Sequence, residues 1–185
     1  MNNIKKVSRL TDLPHEILES ARKAGIESNE KRRSGTYMMI DHEAVISRVN
    51  KHFKGKLEII DTKVALKKYK WLQDYRWKLV DRGKDEYTEC VDEDFGGGYF
   101  LRILKNARVE FPLQSCLMIS SEGMKQNVHN IIIAEEGSDS RIITGCTLHP
   151  DVRSGQHIGI SEFFIKKDAK LNFTMIHNWN ESAKV

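Results

Sequence analysis

The sequence predicts an α+β region over residues 1–95, followed over residues 96–185 by the first coils of a partial parallel β-helix, mainly β in content. Three observations carry this. Tyr99 to Leu113 (YFLRILKNARVEFPL), Asn130 to Thr144 (NIIIAEEGSDSRIIT) and Ser161 to Met175 (SEFFIKKDAKLNFTM) share one pattern, and their starts lie 31 residues apart twice. In each, an apolar strand enters a polar turn centred on Asn106, Gly137 or Asp168, and a second strand of alternating polarity follows, as with Val109, Phe111 and Leu113. A unit of two strands cannot bury its apolar face alone, and stacking at a fixed period supplies the partner. The third observation is Gly96-Gly97-Gly98 after Phe95, which reads as the hinge between regions because no Lys-Ser/Thr follows to make a phosphate loop.

Ahead of that hinge, Thr11-Asp12 offers an N-cap and Pro14 suits a first helical turn. Leu13, Ile17, Ala21 and Ala24 then fall near one face before Gly25 ends the helix. Ser28 to Ser34 contains no apolar residue and reads as a linker, and Tyr37 to Ile40 reads as a brief strand. Asp41 is placed to cap a helix in which Val45, Val49 and Phe53 recur every four residues. Leu57 to Ile60 reads as a strand. Asp61 or Thr62 then caps a long helix toward Val80, whose Leu66, Tyr69, Trp71, Leu72, Tyr75 and Trp77 spread around its circumference as packed core. Lys84 to Asp94 is acidic and loop-like.

Composition narrows the function classes. At 185 residues the chain can bury one full core. Its 30 basic residues face 26 acidic ones, interleaved, and only Lys31-Arg32-Arg33 forms a basic block, so no nucleic-acid partner is expected. No apolar run approaches the ~20 residues of a membrane span. The polar start, Met1 to Pro14, lacks the apolar core of a secretory signal, which predicts a cytoplasmic protein without membrane contact. Cys90, Cys116 and Cys146 are odd in number and widely spaced, so reduced thiols are expected.

Cys146 is the chemical question. It follows a glycine at a predicted strand end, on the connection between two coils, where a thiol would be presented at a rim. A reactive thiol needs a nearby His, Lys or Arg; His149 and Arg153 are near in sequence, and stacking would bring His157 and His177 close. The alternative is a small, inert, buried side chain, which is the reading for Cys116 in its apolar strand. Cys146 and His149 are spaced like a metal pair, but a structural zinc needs about four ligands and no second compact pair exists, so no metal site is expected. No nucleophile-elbow motif accompanies Cys146 and His177, which argues against a hydrolase. After Trp179 no capping element is evident: Asn180 to Val185 is a polar tail, and an open β-helix end invites pairing with a second copy.

Several strings carry a resemblance. VEFPLQ (Val109 to Gln114), QNVHNIIIAEEGS (Gln126 to Ser138), ITGCT (Ile143 to Thr147) and HIGISEFFIKKDAKLNFTMIHNW (His157 to Trp179) resemble the SufB/SufD scaffold family of the SUF iron-sulfur cluster assembly system. KKYKWLQDYRWKLVD (Lys67 to Asp81) resembles the N-terminal region of its short SufB-like members. The resemblance implies a right-handed parallel β-helix with a leading α/β region and a helical C-terminal domain. It implies a scaffold rather than an enzyme, receiving sulfur from a cysteine desulfurase and its sulfur-transfer protein. A SufC-type ATPase and a SufB/SufD-type partner or second copy would bind it, and the ATPase activity would belong to that partner.

The Gly-Cys motif is characteristic of the SufB branch and implies that Cys146 is a sulfur acceptor or relay. Trp179 matches a tryptophan of the family's Asn-Trp motif associated with the β-helix interior. His177 stands where many bacterial members carry Gln, and Met118 and Ser120 where they tend to carry Arg and Asn. The family's late cluster-site residues and ATPase-binding helices lie beyond Val185. A transient iron-sulfur cluster is thus implied for the full-length scaffold and none for this N-terminal portion alone. The expected function is a SufB-like scaffold component working through Cys146; the alternative is a structural module with an inert thiol that self-pairs through its open end.

Overall fold

The computed structural model describes residues 5–181, 183 and 184. The first four residues of the predicted polar N-terminus, and positions 182 and 185 of the predicted tail, lie outside the described residues.

A 3-10 turn at Leu10–Asp12 precedes helix α1 (His15–Lys23). Asp12 is occupied in that turn by Arg9, so Pro14 is the residue that leads into α1. Gly25, at φ +84°, follows its end, as the sequence predicts. Strands β1 (Gly35–Ile40) and β2 (Glu43–Val49) then form an antiparallel hairpin about Asp41, which takes φ +52°. The helix predicted over Val45, Val49 and Phe53 is therefore a strand ending in a 3-10 turn at Lys51–Phe53. A spacing of four is a multiple of two, so it marks one face of a strand as well as one face of a helix.

Strand β3 (Leu57–Asp61) lies where predicted, and Asp61 caps α2 (Thr62–Lys68) by accepting from the Val64 amide at 3.2 Å. The helix does not reach Val80. A 3-10 stretch at Lys70–Asp74 follows, and Trp77 takes φ +59°. Tyr69 and Trp71 lie against Phe100, and Tyr75 against Phe164, with ring centroids 4.7 to 6.1 Å apart, so these aromatics line a sheet face rather than a helix circumference. The acidic stretch read as a loop is helix α3 (Glu86–Glu93), opened by a reciprocal cap between Asp85 and Thr88.

Six further strands follow: β4 (Tyr99–Ile103), β5 (Leu113–Ile119), β6 (Met124–Ala134), β7 (Asp139–Leu148), β8 (Gly155–Ile165) and β9 (Lys170–Asn178). They alternate between two sheets, of order β2-β1-β5-β7-β9 and β3-β4-β6-β8, and all ladders among β4 to β9 are parallel. The 31-residue period is the ladder offset itself: Phe100 faces Ile131, Asn130 faces Ser161, and Asp139 faces Lys170. One ladder departs from it, Leu113 facing Ile142. Two surplus residues are taken up between Arg108, still paired with Asp139, and Leu113. Phe111, expected on a buried strand face, lies in this bulged segment and is 41% exposed.

Strands from the first 95 residues continue both sheets, β1 pairing with β5 and β3 with β4. Gly97 and Gly98 lie in this seam at φ +133° and +124°, and the His129 amide donates to the Gly97 carbonyl at 2.9 Å. Tyr37, Tyr99, Leu101, Leu117, Val128, Ile132, Ile142 and Cys146 fill the space between the sheets. Ile17 and Ala21 of α1 cover Met38, Cys116 and Met118 on one outer face, and Leu66 of α2 lies over Phe100 and Ile133 on the other. Removal of these apolar surfaces from water is the main stabilising term, at roughly 25 cal/mol per Å². The tail after Trp179 is not free: Lys184 forms a parallel bridge to Gln156 and accepts from the His157 amide at 2.9 Å. Among the described residues, no helix is long and apolar enough to cross a membrane.

Candidate functional site

The ladders set Cys146 between Leu117 of β5 and His177 of β9. It lies inside β7 rather than on a connection between coils, and its side chain is fully buried. Gly145, which made the motif look like a strand end, faces the other way. A Cβ there would overlap the Ala24 carbonyl oxygen at the end of α1, so the glycine lets that helix end lie directly on β7. Burial pushes the Cys146 thiol up to about 12, which keeps it protonated at neutral pH. Cys116 is also buried, and its thiol is raised by the same cause.

His157 of β8 faces the thiol across the inter-sheet space, with Sγ and Nε2 3.9 Å apart. Burial, and then the neighbouring His177, lower His157 to about 4, so its ring is neutral at pH 7. Its Nδ1 is 2.9 Å from Gln126 Oε1. Trp179 lies on the His157 ring with centroids 5.5 Å apart, and its indole N–H donates to His177 Nδ1 at 2.9 Å. The three residues singled out in the sequence, Cys146, His177 and Trp179, therefore surround His157, which stacking alone suggested. His149 is not part of this group; its Nδ1 accepts from the Asp151 amide at 3.3 Å, and it lines a separate pocket.

A pocket of ≈290 Å³ reaches the thiol. Asn130, Ser161, Met175, His157 and His177 line it, and Tyr87 of α3 stands at its wall. Asn130 donates to Ser161 Oγ at 3.1 Å, so its polar lining is already ordered. Among the described residues no group of three or more His, Cys, Asp or Glu side chains is placed to hold a metal ion. The arrangement offers a protonated thiol, a neutral ring nitrogen and room for a small reactant.

A second buried polar pair, not expected from the sequence, lies on the outer face of β8. Glu162 accepts from His129 Nε2 at 2.7 Å and from the amides of Trp77 at 2.8 Å and Leu79 at 2.6 Å. Burial alone would raise its carboxyl, but those hydrogen bonds outweigh burial and hold it below the usual carboxylate range. Glu162 thereby fastens the turn at 77–80 that leads to α3 and Tyr87. The available signal was a lone carboxylate in the run ISEFFI, costly to bury unless paired.

Comparison with known proteins agrees with this region. Residues 117–184 match the family described as SUF system FeS cluster assembly, SufBD core domain. A protein named iron-sulfur cluster assembly SufBD family protein from Archaeoglobus fulgidus is 47% identical over 167 residues, covering 90% of this chain and 44% of the relative. Its namesake from Methanothermobacter thermautotrophicus is 41% identical over 184 residues, covering 97% of this chain and 44% of the relative. A further member from Pyrococcus horikoshii is 30% identical over 179 residues, covering 95% and 40%. The chain spans less than half the length of these curated relatives. It belongs to the SufBD family, whose members carry the name of iron-sulfur cluster assembly proteins.

Proposed function

We propose that this chain is a SufB-like scaffold component of iron-sulfur cluster assembly that accepts or relays sulfur through Cys146. The single observation that carries the proposal is the buried Cys146–His157 pair, 3.9 Å apart, in the lining of the pocket. Cys146 Sγ attacks the outer sulfur of a donor persulfide as His157 takes the thiol proton, so that proton transfer accompanies bond formation rather than preceding it. The new Sγ–S bond forms as the donor S–S bond breaks, and the departing donor thiolate recovers the proton from the imidazolium. One sulfane sulfur moves with no net gain or loss of electrons, so no further oxidant or reductant is required.

The donor belongs to the desulfurase and sulfur-transfer class, and a SufC-type ATPase and a SufB/SufD-type subunit are the remaining partners in this reading. ATP turnover resides in the ATPase, and the cluster is cargo of the full scaffold, in the cytoplasm. Residues 96–185 supply the first coils of a right-handed parallel β-helix, with residues 1–95 as its leading α/β region. Parallel ladders repeating at 31 residues and alternating between two sheets support that architecture. Desulfurase-dependent loading followed by mass spectrometry is expected to place a persulfide on Cys146. Equal loading of a Cys146→Ser variant would overturn the assignment.

A second reading, a module that self-pairs through open edges with an inert thiol, has one observation in its favour. At the β8 and β9 end, Ile165 and Met175 are 47% and 41% exposed beside partly buried Phe163 and Phe173. Light scattering decides it: concentration-dependent dimers support self-pairing, and a strict monomer counts against it.

A further inference from the structure

The direction of proton transfer at Cys146 depends on which nitrogen of His157 carries hydrogen, and one buried amide determines that. Gln126 is the ladder neighbour of His157 across β6 and β8 and is fully buried. Its Nε2 donates to two backbone carbonyls, Asp41 O at 2.7 Å and Met118 O at 3.0 Å. Carbonyls only accept, so a flipped amide would set its oxygen against two oxygens and lose both bonds. Gln126 Oε1 therefore points at His157 Nδ1, 2.9 Å away, and it too only accepts. His157 Nδ1 must then be the protonated nitrogen. A neutral imidazole holds one N–H, so Nε2 keeps its lone pair, and Nε2 is the atom facing Cys146 Sγ.

We propose that Gln126 is a positioning residue for the sulfur-accepting site: it locks His157 in the Nδ1–H form, so that Nε2 is ready to take the Cys146 thiol proton. The inference rests on the role of Cys146 argued above. The amide is itself held from behind. Asp41 accepts four hydrogen bonds through its carboxylate, from the amides and hydroxyls of Ser120 and Ser121 at 2.7 to 3.2 Å, and its own amide donates to Met118 O at 2.8 Å. Both carbonyls that orient Gln126 thus belong to one polar knot between the β1–β2 hairpin and the end of β5. On the other side of the ring, a Cβ at Gly159 would stand 3.1 Å from His157 Nε2, so the glycine leaves that nitrogen room to act.

Long-range proton–nitrogen correlation on protein carrying 15N-histidine reads the tautomer at pH 7. His157 is expected to show the Nδ1–H pattern, the less common form for a free imidazole. In Gln126→Leu the pattern should revert toward Nε2–H, and alkylation of Cys146 by iodoacetamide should slow by on the order of ten-fold or more. An Nε2–H pattern in the wild type overturns the proposal, as does a folded Gln126→Leu variant with wild-type tautomer and alkylation rate. If Gln126→Leu does not fold, the wild-type tautomer decides alone. An Nδ1–H pattern in a protein that takes no persulfide supports the lock while removing the sulfur reading, so the two failures are distinct.

Discussion

Gly145 and Glu162 show how single positions hold this molecule together from outside its core. At Gly145 the backbone of α1 comes so close that a methyl group must displace the Ala24 carbonyl. Gly145→Ala is therefore expected to lift the helix end from β7 and cost about 1–3 kcal/mol, the usual range for overpacking. A urea midpoint lowered at unchanged m value would show this, and an unchanged midpoint would mean that α1 yields freely. Glu162→Leu removes the acceptor of three backbone amides, those of Trp77, Leu79 and Val80, and leaves His129 unpaired. The buried His129 nitrogen costs about 1–3 kcal/mol as an orphan, whereas the amides of the part-exposed turn can bond to water, so a loss of about that size is expected, with faster amide exchange concentrated at 77–80. Uniformly faster exchange would show that the contact is not local. The Gly-Cys motif was visible in the sequence, but its geometry was not, because the reason for the glycine lies in a helix distant along the chain.

Elements differ in how far their own residues decide them. The 3-10 stretch after α2 exists because Tyr69, Trp71 and Tyr75 reach Phe100 and Phe164, and no local period reveals that pull. The four-residue spacing in β2 serves both periods, so it does not separate a strand from a helix. Helix α3 has only one fully buried apolar residue, Val91, so no amphipathic stripe announces it. Its one local signal is Asp85-x-x-Thr88, whose side chain and amide bonds of 2.9 and 3.1 Å close the first turn. Asp85→Ala is expected to cost about 1 kcal/mol and to reduce exchange protection at Val91, while leaving β6 and β8 unaffected. Protection at Val91 equal to wild type would show that packing alone holds the helix.

For the whole molecule, the 31-residue parallel ladder is the most legible feature, because neighbouring parallel strands repeat one offset along the chain. The one exception, between β5 and β7, arises from residues that bulge without altering the pattern on either side. What the 31-residue period leaves out is the buried polar pairing, Gln126 with His157 between β6 and β8 and His129 with Glu162 on the outer face, and it is expected to make global stability depend on pH. His157 titrates near 6.5 when unfolded and about 4 when folded. Above pH 6.5 neither state is protonated and its contribution is fully present. As pH falls toward 4 the unfolded state alone takes up a proton, so stability drops, by about 3 kcal/mol in total at ~1.4 kcal/mol per unit. Glu162 acts in a lower window: its folded value is depressed, so its contribution is present above the unfolded value of 4.5 and disappears as pH falls through the lowered one. Wild-type urea midpoints should therefore decline between pH 7 and 4.5, and a His157→Gln variant, less stable at pH 7, should decline much less across the same span. Parallel declines in the two proteins would assign the acid sensitivity to groups other than His157.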